Sequence, residues 1–193
     1  MSIPRPAIFL DRDGTLNVEK GHIKRPDEFE LLPGVGSALR RLYEAGFLLI
    51  VVTNQSVIAR GLASAADVDA IHMRLRETLA TDGVALDAIY VCPHFPERDL
   101  PGGRPELLRA CECRKPGIGL IQQACRDFAI DQSRSWVIGD QARDVEMARR
   151  AGLRSILVQT GVDVKAQALA AKPDHVAADL AAAAAIVAAD ART

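Results

Sequence analysis

The 193-residue sequence lacks an excess of charge of either sign: 24 basic residues stand against 25 acidic ones. That balance removes the electrostatic basis for tight binding to nucleic acid or to an anionic membrane. It also lacks any apolar run near the about 18–20 residues that span a bilayer. The opening Met1-Ser2-Ile3-Pro4-Arg5-Pro6 lacks the organisation of a signal peptide. Internal repeats and low-complexity linkers are missing too. These absences set the expectation of a cytoplasmic protein, monomeric, with neither nucleic-acid nor membrane partners. Cysteines number only four, and in the cytoplasm such residues are thiols or metal ligands rather than disulfides.

What is present is ordinary in bulk and specific in detail. At 49% hydrophobic and 25% charged, the chain suits one domain over residues 1–193 that buries its own core. Short apolar runs alternate with helical patterns throughout. Ala7-Ile8-Phe9-Leu10 predicts a buried strand, and Phe47 to Val52 a second. Further strands are predicted at 87–91, 136–138 and 155–158, with a last edge strand at 175–177. Helices are predicted over 35–44, from Ser64 to about 80, over 118–128 and 144–151, and in the alanine-rich tail. Alternation of this kind predicts an α/β fold, a Rossmann-like parallel sheet with helices on both faces.

In such sheets, reactive groups collect beyond the carboxyl ends of strands. Four segments carry polar residues of this kind: Asp11-Arg12-Asp13-Gly14-Thr15, Thr53-Asn54-Gln55, Arg114-Lys115-Pro116, which precedes a helix rather than directly ending a strand, and Gly139-Asp140 with Asp144. The set answers the needs of phosphoryl transfer. A dianionic phosphate repels an anionic nucleophile, so a divalent cation must neutralise the site. Magnesium suits this because it accepts a few carboxylates while retaining waters and a phosphate oxygen. Asp11, Asp13 and Asp140 are the expected magnesium ligands, with Asp144 behind them.

A carboxylate nucleophile, Asp11, needs no deprotonation at neutral pH and divides hydrolysis into two displacements. Asp13 is the expected general acid and base, a role that calls for a raised pKa. Thr53 and Lys115 are expected to stabilise the transferring group. Arg12, Asn54, Gln55 and Ser56 complete the candidates for substrate contact from these segments.

Asp-Arg-Asp-Gly-Thr after an apolar strand resembles the first motif of the haloacid dehalogenase (HAD) superfamily phosphatases. Thr53, Lys115 and the Asp140/Asp144 pair match its second, third and fourth motifs in order. The phrases around Asp11, Val52-Thr53-Asn54-Gln55-Ser56 with Ile58-Ala59-Arg60-Gly61, and Cys111-Glu112-Cys113-Arg114-Lys115-Pro116 are similar to the branch that acts on heptose 1,7-bisphosphate and histidinol phosphate. The resemblance runs from Ala7 to about Val158. It implies removal of the C7 phosphate of a heptose bisphosphate on the way to activated heptose for lipopolysaccharide or other surface glycans. It further implies a substrate contact from Arg114, and a loop from Glu19 to His22 flanking the site. Val57 replaces a frequent Gly, and Gln141 replaces a frequent Lys.

Cys92-Pro93-His94 and Cys111-Glu112-Cys113 lie in a proline-rich stretch and look like a four-ligand zinc site. Three thiolates and an imidazole suit tetrahedral zinc with no open position, hence a structural loop over 92–113. Only about 20 residues separate the first motif from the next helix, too few for an inserted cap domain. Two other readings stay open at this level. One is histidinol-phosphate hydrolysis. The other is an inert phospho-ligand or zinc-dependent binding protein, against which Asp13 argues because an acid/base beside the nucleophile promotes turnover.

Overall fold

The computed structural model describes residues 3–162 and 171–190. Six parallel strands form one sheet in the order β3-β2-β1-β4-β5-β6. They are β1 (Ala7–Leu10), β2 (Leu48–Asn54), β3 (Ala88–Cys92), β4 (Trp136–Gly139), β5 (Arg154–Val158) and β6 (His175–Ala177). The chain order reverses between β1 and β4, and the crevice at such a switch point is where α/β sheets bind ligands. Asp11 follows β1 and Asp140 follows β4, so the two carboxylates meet there. The Asp11 N–H donates to the Ile138 carbonyl at 3.0 Å and fixes that junction.

Continuous apolar strands arise because both faces of the sheet are covered. Ile8, Leu10, Leu49, Val51 and Ile138 face one core, and Ala7, Phe9, Ile50, Val52 and Val137 face the other. Each fully buried side chain of this size contributes about 1.5–3 kcal/mol. Helix α1 (Val35–Glu44) buries Val35, Ala38, Leu39 and Leu42 at helical spacing, and α5 (Leu180–Asp190) lies beside it. Helix α2 (Ala65–Thr81) opens on the expected capping box. The Asp67 N–H donates to Ser64 Oγ at 3.1 Å, and the Ser64 N–H to Asp67 Oδ2 at 2.7 Å.

On the opposite face, α3 (Gly119–Asp127) and α4 (Ala142–Ala151) cover the sheet. The sequence predicts a start for α4 at Asp144; the helix begins two residues earlier, which places Arg143 in its first turn. Between β1 and α1 the only helical element is a short 3-10 turn, Pro26–Glu28. Among the described residues no helix is long and apolar enough to cross a membrane.

Candidate active site

Three carboxylates and one ammonium group meet at the switch point. Asp11 is 4% exposed, Asp140 0%, Asp144 1% and Lys115 3%. One oxygen from each of Asp11, Asp140 and Asp144 lies within 4.8 Å of the others. Lys115 Nζ bridges Asp11 Oδ1 at 2.8 Å and Asp144 Oδ1 at 2.6 Å. Asp144 Oδ2 accepts from the Gln141 N–H at 3.1 Å. Asp140 Oδ1 is buried without a hydrogen-bond partner among the described residues.

One cation against three anions leaves the cluster short of two positive charges. The proton affinities register that shortage. Burial pushes Asp11 up to about 6, against the pull of Lys115 and with the push of Asp144. Burial, then the Asp11 charge, pushes Asp140 up to about 7. A hard divalent cation with oxygen ligands fits this donor set, since it would restore neutrality and give Asp140 Oδ1 a partner. Backbone stands close around the cluster. Gly14 has a φ of +77°, and a Cβ there would strike the Asp140 carboxyl. Only glycine permits both the turn and that approach.

The structure places Asp13 differently from the sequence expectation. Its carboxylate lies outside the group of three and is clamped from behind. Arg12 donates from Nε at 3.1 Å to Oδ1 and from Nη2 at 2.9 Å to both oxygens. Asn17 Nδ2 donates at 3.0 Å and Gln55 Nε2 at 2.8 Å. Burial raises the proton affinity of Asp13, but the Arg12 charge and these hydrogen bonds outweigh it and hold the group below the ordinary carboxylate range. The raised pKa expected from sequence is therefore corrected for the free protein. Asp144, expected behind the ion, brings a carboxylate oxygen up to those of Asp11 and Asp140.

Arg12 and Gln55 also differ from expectation. Arg12 is completely buried and directs its donors to Asp13, to Gln55 Oε1 at 3.1 Å and to His72 Nε2 at 3.2 Å. Gln55 is buried too and donates to Thr53 Oγ1 at 2.8 Å. Both are buried against neighbouring side chains and do not line the cleft above Asp11 and Asp13. Asn54 uses both ends of its amide on the Lys115 backbone, at 3.0 and 3.3 Å. That pair ties the end of β2 to the segment carrying the lysine.

A cleft of about 230 Å³ opens above Asp11 and Asp13. Glu19, His22, Asn54, Ser56 and Arg114 line it. Arg60, Phe95 and Arg143 line it as well, and the sequence reading assigned them nothing. The Arg60 guanidinium stacks 3.9 Å from the Phe95 ring centre, with Arg114 at 5.3 Å from the same ring. Arg143 lies close enough to shift the protonation of Asp11, Arg114 and Lys115. Gln141 occupies the place of the frequent Lys and turns back, donating to Asp140 Oδ2 at 2.8 Å. Val57 fills a small apolar cluster with Ile58, Ala63 and Val68. A larger cavity of about 330 Å³ lies between α2 and the cysteine loop. Its apolar walls, including Ile58, Val68 and Leu107, do not suit a dianion.

The four expected loop ligands converge. Cys92 Sγ lies 3.6 Å from Cys111 Sγ and 3.1 Å from Cys113 Sγ, and Cys111 and Cys113 are 3.4 Å apart. His94 Nδ1 lies 3.2 Å from Cys113 Sγ and 3.7 Å from Cys92 Sγ. Tetrahedral ligands about 2.3 Å from zinc stand about 3.8 Å apart, so a small expansion separates this cluster from a zinc cage. Burial pushes the Cys92 and Cys113 thiols up. Three thiolates can coexist here only around a cation.

A HAD-hydrolase-like family model matches residues 112–183. The D-glycero-beta-D-manno-heptose-1,7-bisphosphate 7-phosphatase of Haemophilus ducreyi is 43% identical over 165 residues, covering 84% of this chain and 88% of the relative. The D-glycero-D-manno-heptose-1,7-bisphosphate 7-phosphatase of Thermosynechococcus vestitus is 44% identical over 186 residues, covering 94% of each. Among solved structures, the D,D-heptose 1,7-bisphosphate phosphatase of B. bronchiseptica, complexed with magnesium and phosphate, matches with a TM-score of 0.83 at 35% identity. That match covers 96% of this chain and 99% of the other.

Proposed function

The chain belongs to the HAD-like heptose-1,7-bisphosphate 7-phosphatases, and from that membership we propose how its own residues perform and direct the hydrolysis. The activity is that of a phosphoric monoester hydrolase removing the C7 phosphate of a heptose 1,7-bisphosphate. Asp11, Asp140 and Asp144 would hold magnesium, which when bound would supply positive charge to the phosphate oxygens and the attacking carboxylate. Lys115, fixed by Asp11, Asp144 and the Asn54 amide, adds a charge that does not move during the reaction.

A carboxylate oxygen of Asp11 attacks phosphorus, and the bond from phosphorus to the C7 oxygen breaks. Asp13 gives its proton to that oxygen. Water then attacks the aspartyl-phosphate, Asp13 takes back a proton, and inorganic phosphate leaves with Asp11 regenerated. The clamp on Asp13 keeps it ionised in the free protein. An arriving dianion raises its proton affinity by like-charge repulsion, which readies it as the acid. Thr53 is aligned by Gln55 to meet a phosphate oxygen.

The substrate reading rests on one observation: three guanidinium groups converge on the cleft beyond the carboxylates. Arg60 and Arg114 flank Phe95, and Arg143 faces them from the first turn of α4. A cation is disfavoured at a helix N-terminus, so its presence there points to an anion in the cleft. A second phosphate satisfies all three, whereas the ammonium group of histidinol phosphate is repelled. Side-by-side phosphate-release assays should favour the heptose bisphosphate over histidinol phosphate by at least about 100-fold in kcat/KM. Arg143→Ala should lower kcat/KM for the bisphosphate by about 10–100-fold, the scale of one charge-assisted contact, mainly through KM. Turnover of p-nitrophenyl phosphate should be unchanged within about 3-fold. Histidinol phosphate as the better substrate, or equal losses on both esters, overturns the reading.

Cys92, His94, Cys111 and Cys113 would hold a structural zinc, which would set the position of Arg114 and Lys115, directly after Cys113. The purified protein should hold about one zinc per chain, the stoichiometry of a closed four-ligand site. Cys113→Ser should release it, melt the loop and reduce turnover. Full activity in a zinc-free protein whose thiols titrate freely removes zinc from the account.

A further inference from the structure

Helix α2 presents an apolar inner face of Val68, Ile71, Leu75 and Leu79, interrupted by one buried polar residue, His72. His72 is 6% exposed, and a polar ring there is costly unless it is paired. Its Nε2 lies 3.2 Å from Arg12 Nη1. A guanidinium only donates, so Nε2 accepts and the ring is neutral, with its proton on Nδ1. Burial, followed by the Arg12 charge, pushes His72 down to about 3, in keeping with that tautomer.

The other edge of Arg12 chelates Asp13 through Nε and Nη2, while Nη2 also reaches Gln55. The histidine therefore closes the far side of the guanidinium whose near side holds the carboxylate. Without it, Nη1 is left buried without an acceptor. Satisfying that group requires the planar guanidinium to rotate, which breaks its two-toothed hold on Asp13.

We propose that His72 is a positioning residue for Asp13, acting through Arg12. The inference rests on the reading of Asp13 as acid and base. A structural role alone would affect stability. A positioning role affects the chemical step, and only while Asp13 can perform it.

The test is a double-mutant cycle with saturating magnesium, following kcat, KM and thermal midpoint. His72→Phe should lower kcat by about 10–100-fold, the scale of a small misplacement of a catalytic group, with KM within about 3-fold. His72→Leu, made alongside in case the larger ring prevents folding, should behave in the same way. His72→Gln, whose carbonyl oxygen can accept from Arg12, should recover kcat to within about 3-fold of the parent. On an Asp13→Asn background the Phe and Leu changes should have no further effect on kcat. Lowered melting temperatures with unchanged kcat, or an equal kcat loss on both backgrounds, overturn the proposal. Full activity in Asp13→Asn alone would instead remove the acid/base reading on which it stands.

Discussion

Asp11→Asn is expected to reduce turnover by about 10⁴-fold or more, the scale of removing a nucleophile, while the fold survives. An amide has nearly the volume of a carboxylate, so the packing at the end of β1 persists. Asn can still accept from Lys115 and from the Arg12 N–H, which donates to Asp11 Oδ1 at 2.6 Å. Two functions disappear together: the oxygen that attacks phosphorus and one negative charge of the magnesium set. Substrate affinity, measured by binding rather than by KM, should hold or improve, because one of the anions that repel the phosphate is gone. Near-normal turnover in this variant would show that water attacks phosphorus directly.

The second large effect concerns Lys115. Among the described residues its ammonium is the only cation paired with Asp11 and Asp144, both almost fully buried. Removing one partner of a buried ion pair costs about 3–5 kcal/mol, because the remaining charges stay desolvated and unpaired. Lys115→Met keeps the length and apolar bulk of the side chain. It should lower the thermal midpoint of the metal-free protein by about 10 °C and kcat by about 10²–10³-fold. Magnesium should raise the midpoint of the variant more than that of the parent, since the bound cation takes over the missing neutralisation. An equal magnesium effect on both proteins would place the cation away from this cluster.

Much of this fold is legible in the sequence because its strands are buried on both faces. Ala7-Ile8-Phe9-Leu10 and Leu48 to Val52 are continuous apolar runs, and such runs followed by Asp or Thr-Asn mark strand ends in a parallel sheet. Strand ends are where the topology gathers side chains, so Asp11 and Asp140 could be assigned to one cluster from order. Lys115 precedes α3 and is placed there by its likeness to the family's third motif. The cysteine loop is legible for another reason, since thiols and an imidazole at short spacing have few uses besides a metal.

Side-chain direction is what the sequence hides. Arg12 and Asp13 are adjacent, and nothing in their order says that the guanidinium folds back on its neighbour and lowers its proton affinity. Gln55 likewise points inward at Thr53 and Asp13. His72 sits more than fifty positions from Arg12, on a helix whose inner face is otherwise apolar. Arg143 had a readable signal, a cation in the first turn of a helix. That signal emerges only when α4 starts at Ala142.

The central claim is that Asp11 itself carries the phosphoryl group, and acid-quenched peptide mapping tests it most directly. Asp13→Asn, mixed with magnesium and p-nitrophenyl phosphate, whose leaving group needs no proton, and quenched within one turnover, should hold a phosphoryl group on the peptide containing Asp11. Released phosphate with that peptide unmodified, or a phosphoryl group found on another residue, would contradict it.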